Sequence, residues 1–240
     1  MDRAQLQEVL AAGDAVEDTE ITGADLLDAF EHAPSPPVLR RVTVRGPDLS
    51  GADLSGLVLE QCHLDEARLR GTVLDGARVS GGVLTRADLT DADLTDAVFD
   101  TVDLSGARFP GALMTDTRFD SCRLIGADFS TMRGLAISFT FDGSNLQLAN
   151  LQDAPLKNVR FRRVDLSEAD LRGADLRDTS FTDCRLRGVD FSHTRLTGAD
   201  LRGADLGGLT PDAPRQLRGA VISSRQAADV CRALDLTVLD

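Results

Sequence analysis

One apolar residue recurs at every fifth position through most of this chain. The series runs without a gap from Leu49 to Phe129, shifts by two residues, and continues from Phe141 to Leu206. A small residue, such as Ala52, lies two positions before most of these centres. A period of five matches neither the 3.6 of an amphipathic helix nor the 2 of a half-buried strand. The chain must therefore change direction once in every repeat.

Four repeats with one corner each close a square coil. Within each side, the centre and the small residue two before it point to the same face, because side chains alternate along an extended segment. Gly and Asp crowd the position after, as at Gly51 and Asp91, where turn residues are needed. Coils of ~20 residues would stack at the ~4.8 Å spacing of hydrogen-bonded strands. The sequence thus predicts an all-β fold, a four-sided parallel β-solenoid over residues 42–209, with a register slip near 130–141.

Residues 1–41 do not repeat. Leu6 and Leu10 follow the start at helical spacing, and Thr22-x-x-Asp25 is typical of a capping box that opens a second short helix. A solenoid needs a cap over the apolar end of its first coil, so we expect a helical N-terminal cap. A partner-binding segment is the alternative.

Residues 210–240 depart from the repeat as well. Two prolines, Pro211 and Pro214, precede a helix that begins after Ser223 and ends near Leu234, and a short apolar strand is predicted for 236–239. This C-terminal segment carries as many acids as bases, which favours a cap that also serves dimerisation. The residues predicted at a dimer interface are Ala227, Val230, Cys231, Leu234, Leu236 and Val238.

Composition restricts the class of partner. The formal net charge is -13 and the sequence pI about 4.6, which argues against direct binding of nucleic acid or anionic lipid, because those contacts need clustered Lys and Arg. A basic protein partner is expected instead. The N-terminus lacks the basic and apolar stretches of a signal peptide, and no apolar run approaches the ~20 residues of a membrane span. We therefore expect a cytoplasmic protein without a membrane segment.

Acidic residues concentrate in the first half of the repeats. Between Arg86 and Arg108 there are several Asp and no Lys or Arg, and a coil of four repeats would stack Asp96 near Asp116. The predicted partner-binding surface is a ribbon of carboxylates along one edge, formed by Asp88, Asp91, Asp93, Asp96, Asp100, Asp103, Asp116 and Asp120. The alternative is that these acids only keep a repetitive β-protein soluble.

Catalytic patterns are missing from the sequence. His32, His63 and His193 are far apart and none has a Cys or Ser in a nucleophile setting. The four cysteines are scattered without a CxxC pair, which favours reduced, buried residues over a zinc site or a disulfide framework. Each Gly belongs to a corner, so no phosphate loop is predicted. We expect a protein that is not an enzyme and uses no cofactor or metal.

The repeat unit resembles the A(D/N)LXX motif of the pentapeptide-repeat family. The motif is nearly literal in Ala52-Asp53-Leu54, Ala87-Asp88-Leu89 and Ala149-Asn150-Leu151, and the resemblance covers about residues 42–209. It implies a right-handed quadrilateral parallel β-helix. It says less about function, because one repeat fold carries many roles.

Two shorter stretches resemble one subgroup of that family, the Qnr and MfpA quinolone-resistance proteins. They are the C-terminal segment with Gly219-Ala220 and Gln226-Ala227, and the middle segment 138–146. The resemblance implies a rod-shaped homodimer joined through its C-termini, which mimics DNA and binds DNA gyrase or topoisomerase IV, modulating it or protecting it from quinolones. The alternative is a structural scaffold with an unrelated partner. In such a dimer of this chain the central coils would be nearly neutral and the negative charge would lie toward the outer ends.

Overall fold

Short parallel strands stack on one another through most of this computed structural model, which describes residues 1, 3–21, 26–31, 33–34, 36–44, 46–133 and 138–239. In chain order the elements are α1 (Arg3–Ala11), β1 (Val16–Glu17), β2 (Glu20–Ile21), α2 (Leu26–Glu31), β3 (Val38–Arg40), β4 (Thr43–Val44), β5 (Val58–Glu60), β6 (Arg78–Ser80), β7 (Val98–Asp100), β8 (Arg118–Asp120), β9 (Thr140–Asp142), β10 (Arg160–Arg162), β11 (Ser180–Thr182), α3 (Ala213–Gln216) and α4 (Ser224–Ala233). A two-stranded sheet joins β2 and β4, and a nine-stranded parallel sheet has the order β1-β3-β5-β6-β7-β8-β9-β10-β11.

The coil has four faces, and each is held by parallel pairing to the next coil. The faces are defined by their ladders: face 1 contains Asp48, Arg68 and Asp88; face 2 contains Asp53, Val73 and Asp93; face 3 is the nine-stranded sheet; face 4 contains His63, Val83 and Asp103. Most ladder partners in these faces are four repeats apart, and the solenoid has about 8 turns. The predicted four-sided parallel β-solenoid is confirmed.

The repeat centres form the core. Leu89, Leu94 and Leu104 are fully buried, and so are Ala87 and Ala92 at the small position. One coil cannot enclose a core alone, so each gains its buried surface by stacking on its neighbours. Gly82 shows how tightly the coils fit at a corner. Its φ is +83°, and a Cβ there would lie 2.1 Å from the carbonyl oxygen of Cys62, which excludes any side chain.

Phenylalanines form two columns inside the solenoid. On face 3, Phe99, Phe119, Phe141, Phe161 and Phe181 stack with ring centroids 5.0–5.6 Å apart. On the opposite face, Phe109 and Phe129 stack at 4.6 Å, and these two rings meet the face 3 column edge-on. Both arrangements are favourable for aromatic pairs. The centre of the rod is therefore its most densely apolar part.

Within the repeat series, the ladder spacing changes between β8 and β9. Leu113 pairs with Arg133, which is the regular spacing of four repeats, whereas Phe119 pairs with Phe141, two positions beyond that spacing. The two additional residues lie between Arg133 and Phe139, in a stretch whose residues 134–137 are outside the described part. Phe139 occupies the small inward position before Phe141, is buried, and contacts Phe141 edge-on at 5.5 Å. The interior columns continue across the slip.

Stacking begins before residue 42. β1 pairs with β3 and β2 pairs with β4, so Val16 already belongs to the first coil and the segment 1–41 is not purely helical. The repeat pattern does not predict this coil, because its ladder partners, Val16 and Leu39, are further apart than four repeats and it carries no A(D/N)LXX motif. Leu6 and Leu10 of α1 are buried in the same core. The predicted capping box at Thr22 and Asp25 falls outside the described residues, as does His32.

The C-terminal segment closes the other end. Ser223 and Gln226 form a capping box at the start of α4, and the Gln226 amide also donates to the carbonyls of Leu201 and Ala204 at 2.7 and 2.8 Å. The predicted strand at 236–239 is wrong: these residues have no strand pairing within the described part of the chain, and the Leu236 N–H donates to the Cys231 carbonyl of α4. Among the described residues, no helix is both long and apolar enough to cross a membrane.

The phenylalanine column predicts where a substitution costs most. Phe119→Ala should lower the free energy of unfolding by about 3–5 kcal/mol, because it leaves a cavity between Phe99 and Phe141. Leu148→Ala is the control, since Leu148 is 58% exposed, and should change it by less than about 0.5 kcal/mol. The chain has no Trp or Tyr, so denaturant unfolding is best followed by circular dichroism. Equal effects of the two substitutions would contradict the stacked core.

Candidate functional site

The eight predicted acids do not share one edge, which corrects the predicted ribbon. Asp88 lies on face 1, Asp93 on face 2 and Asp103 on face 4. Asp91 occupies the corner between faces 1 and 2 with a φ of 60°. The remaining four lie on face 3 or at the corner that precedes it. Because each repeat forms one face of the coil, acids that are one or two repeats apart fall on different faces, and proximity in sequence does not place them together.

Several of the eight acids have local structural roles. Asp93 Oδ1 accepts hydrogen bonds from the backbone N–H of Thr95 at 3.0 Å and from its hydroxyl at 2.6 Å. Asp88 and Asp103 make the same turn with the residue two positions later. Such Asx turns satisfy backbone donors at corners. The Asp of the repeat motif is therefore part of the corner.

Neighbouring arginines also engage these acids. Asp88 lies 3.3 Å from Arg70 Nη1, and Asp91 lies 3.4 Å from Arg133 Nη2. Hydrogen bonds from Thr90 and the charge of Arg70 hold the pKa of Asp88 below its usual value, against the opposing effect of burial. These carboxylates are already bonded within the chain and have less capacity for a partner.

The other four acids form what we call the open acid column, defined as Asp96, Asp100, Asp116 and Asp120. Asp100 and Asp120 are direct ladder partners on β7 and β8, and Asp96 and Asp116 occupy the corner before these strands with φ values of 55° and 53°. Asp96, Asp100 and Asp116 are exposed and Asp120 is half-buried. No ion pair to these four carboxylates is found in the described part of the chain. They form one surface on two successive coils.

Like charges stack in this column. Asp120 lies between Asp100 and Asp142 in the ladder. Burial, followed by the negative charges of Asp142 and Asp100, raises the pKa of Asp120, and the nearby Arg118 only partly opposes this. Ionisation of Asp120 is therefore disfavoured by its neighbours, and a cation placed beside it from outside would relieve the repulsion.

Beyond the column, arginines pair with several of the acids. Asp142 lies 2.5 Å from Arg163 Nη2, and further along the rod the pairs are Asp165–Arg185, Asp170–Arg172, Asp175–Arg177, Asp200–Arg202 and Asp205–Arg187. The Arg202 hydrogen bonds lower the pKa of Asp200 to about 2. The uncompensated negative charge thus lies in the first half of the rod.

A second surface is apolar and lies at the C-terminus. Leu234, Leu236 and Val238 are 42%, 55% and 39% exposed, and Leu239 is exposed as well. Ala227, Val230 and Cys231 of α4 are half-buried beside them. The six predicted interface residues therefore belong to one segment. The sequence analysis omitted Leu239 of the same segment, and also Leu148, an exposed leucine in the repeats. A large exposed apolar patch on a soluble domain usually marks an interaction site.

The remaining reactive residues are dispersed. His63 and His193 are exposed on the surface, and no group of His, Cys, Asp or Glu suited to a metal is found among the residues that the structure describes. Cys62, Cys122 and Cys184 are free and buried. Burial raises the pKa of the Cys122 thiol to about 12 and that of Cys184 to about 11, so neither is prepared to act as a nucleophile.

Comparison with known proteins bears on the fold and the family. The Pentapeptide repeats family model matches eight copies, over residues 48–91, 97–131, 144–183 and 165–208. The comparison with curated proteins finds no match.

Solved structures of QnrB1, described as a plasmid-mediated fluoroquinolone resistance protein, are similar in fold. A trypsin-treated variant has a TM-score of 0.65 and 22% identity, and the alignment covers 94% of this chain and 98% of that one. A second such variant has a TM-score of 0.64 and 22% identity, over 94% and 97% of the two chains. Full-length QnrB1 has a TM-score of 0.52 and 19% identity, over 92% and 98%. The four-sided coils and the family match over more than half of the residues show that this chain belongs to the pentapeptide-repeat family.

Proposed function

We propose that this protein binds a type II topoisomerase, DNA gyrase or topoisomerase IV, in place of DNA, and so modulates the enzyme or protects it from quinolone-like poisons. The observation that carries the proposal is the open acid column, four carboxylates on one surface without a cation partner in the described chain. The similarity of fold to QnrB1, a fluoroquinolone resistance protein, supports this choice of partner.

The physical basis is a match of shape and charge spacing. B-DNA carries one negative charge per ~1.7 Å of axis, or ~3.4 Å along one strand. Successive coils are ~4.8 Å apart, so Asp100 above Asp120 repeats charge on a similar scale. A basic groove that binds a narrow acidic rod gains from neutralising these carboxylates, and it also relieves the repulsion around Asp120.

Dimerisation through the C-terminal patch belongs to the same proposal. Two copies joined there would form a longer rod whose acid columns lie on its outer arms, separated by the arginine-neutralised coils. Each arm would then present its own column to a basic groove. In the alternative function the protein is a scaffold, and the same acids bind an unrelated basic partner instead of gyrase.

The first test removes the column's charge. Changing Asp96, Asp100, Asp116 and Asp120 together to Asn should weaken gyrase binding by about tenfold or more at low ionic strength, mainly through slower association. The matched control changes Asp88, Asp91, Asp93 and Asp103 to Asn, which removes the same net charge and keeps the turn acceptors. Its loss should be much smaller. Surface plasmon resonance over a salt series, with supercoiling and quinolone protection assays, measures both.

Three outcomes of this test are decisive. If both variants lost gyrase affinity equally, net charge alone would explain the loss, and the open acid column would have no specific role in binding. Unchanged protection by the column variant at every salt concentration would leave its acids as a solubility device. If the parent protein neither binds gyrase nor topoisomerase IV, the scaffold alternative is favoured.

The second test concerns the dimer. Leu234→Glu, Leu236→Glu and Val238→Glu together should convert the protein from a dimer to a monomer of 25.7 kDa in light scattering. Gln226 is retained, so the last coil keeps its cap. Leu148→Glu is the control, because it charges a comparably exposed leucine far from the tail. A dimer that survives the triple change must use another interface.

The third test uses pH. Because the folded-state pKa of Asp120 is raised, its ionised form destabilises the protein above that pKa, and the penalty disappears below the unfolded value of about 3.9. Asp120→Asn should therefore stabilise the protein at pH 7, with no gain at low pH. Asp200→Asn should do the opposite, since the lowered pKa of Asp200 contributes stability that is lost only as pH falls toward 2. If both substitutions changed the stability at pH 7 in the same direction, the opposite pKa shifts of Asp120 and Asp200 would be contradicted.

A further inference from the structure

A cleft opens near the C-terminal end of the rod, and none of the residues of the open acid column lines it. Its volume is about 780 Å³, within the range of small-ligand sites. One wall is the corner of the coil at residues 191–197, and the other is the segment 210–219 that contains α3. The two walls are joined where the Gly198 N–H donates to the Gly219 carbonyl at 3.0 Å. Among the described residues, none of α4 or of the terminal tail lines it.

A carboxylate at the edge of the cleft fixes two guanidinium groups. Asp175 Oδ2 lies 2.7 Å from Arg177 Nη2 and 3.2 Å from Arg195 Nη2, and the Asp175 side chain is only 12% exposed. Arg177 and Arg195 both line the cleft, whereas Asp175 does not. Asp175 therefore positions both guanidinium groups, and the negative charge of Asp178 also acts on Arg177, so two carboxylates offset the two cations of this wall. Guanidinium groups held in this way need little ordering when an anion binds.

The positive charge of the cleft comes from the opposite wall. Arg215 and Arg218 are exposed there, and neither forms an ion pair in the described structure. Asp212 is the acid among the lining residues, and His193 lies at the coil wall. Elsewhere in this half of the rod, acids and arginines are largely matched. The cleft is thus a basic site on a protein whose net charge is -13.

The chemistry of the lining indicates the ligand class. Guanidinium forks bind phosphate oxygens through paired, charge-assisted hydrogen bonds. Phe191 lines the cleft but is only 5% exposed, so it offers no face for stacking a nucleobase. We propose that this cleft binds a polyphosphate anion, either inorganic or the phosphate chain of a nucleoside triphosphate, and that the base is not recognised. The site is independent of the proposed binding of topoisomerase.

Calorimetric titration of the full chain with tripolyphosphate, ATP and AMP tests the proposal. Tripolyphosphate and ATP should bind with similar affinity, and AMP about tenfold or more weaker, because it presents fewer phosphate oxygens. Much tighter binding of ATP than of tripolyphosphate would show that the base is recognised, and would overturn the proposal that only the phosphates are bound. No measurable binding of tripolyphosphate at low ionic strength would overturn the site itself.

Paired variants locate the binding. Arg215→Gln with Arg218→Gln should weaken tripolyphosphate binding by about tenfold or more, since each substitution removes a charged donor to the phosphate oxygens. The matched control is Arg160→Gln with Arg225→Gln, two exposed arginines without an ion pair in the described structure and outside the cleft lining. Equal losses would indicate diffuse charge attraction and contradict the site. If a polyglutamate peptide bound more tightly than tripolyphosphate, the proposed polyphosphate ligand would be wrong and an acidic peptide would be favoured.

Discussion

The hydrogen bonds between successive coils set a fixed register, and most properties of the molecule follow from it. Leu94 N–H, for example, donates to the carbonyl of Leu113 on the next coil at 2.8 Å. Because equivalent positions lie directly above one another, each side chain lies beside the side chain at the same position of the next coil. Inside, this places Phe99 on Phe119 and stabilises the core. Outside, it places Asp100 on Asp120, and the same register brings like charges together.

Two populations of aspartate result from this geometry. An Asp directly before a centre, such as Asp93, accepts the N–H of the residue two positions later and builds the corner. An Asp after the centre lacks this donor: Asp96 and Asp120 have no ion pair in the described structure, whereas Asp91 and Asp142 pair with Arg133 and Arg163. Position within the repeat therefore separates the turn-forming carboxylates from the rest, and a nearby arginine decides which of the rest remain available. The arginines of the second half complete this separation by pairing with the acids there.

The sequence predicted the coil well because one apolar residue per five positions leaves few other folds. It failed where the signal depends on partners in space. Val16 starts the first coil, but its ladder partner Leu39 lies further along the chain than a regular coil would place it and carries no motif. The strand at 236–239 was inferred from apolar residues that have no strand pairing within the described part of the chain. The edge ribbon failed because Asp88, Asp93 and Asp103 lie close in sequence yet on three different faces.

Gln226 has a consequence for self-assembly. The last coil of an uncovered solenoid would offer free backbone carbonyls to another chain, and such edges can nucleate open-ended fibres. Here the Gln226 amide already occupies the carbonyls of Leu201 and Ala204, while α1 packs Leu6 and Leu10 into the core at the N-terminal end. These two carbonyls are therefore not free to pair with the backbone of another copy, which disfavours ladder-by-ladder growth at this end.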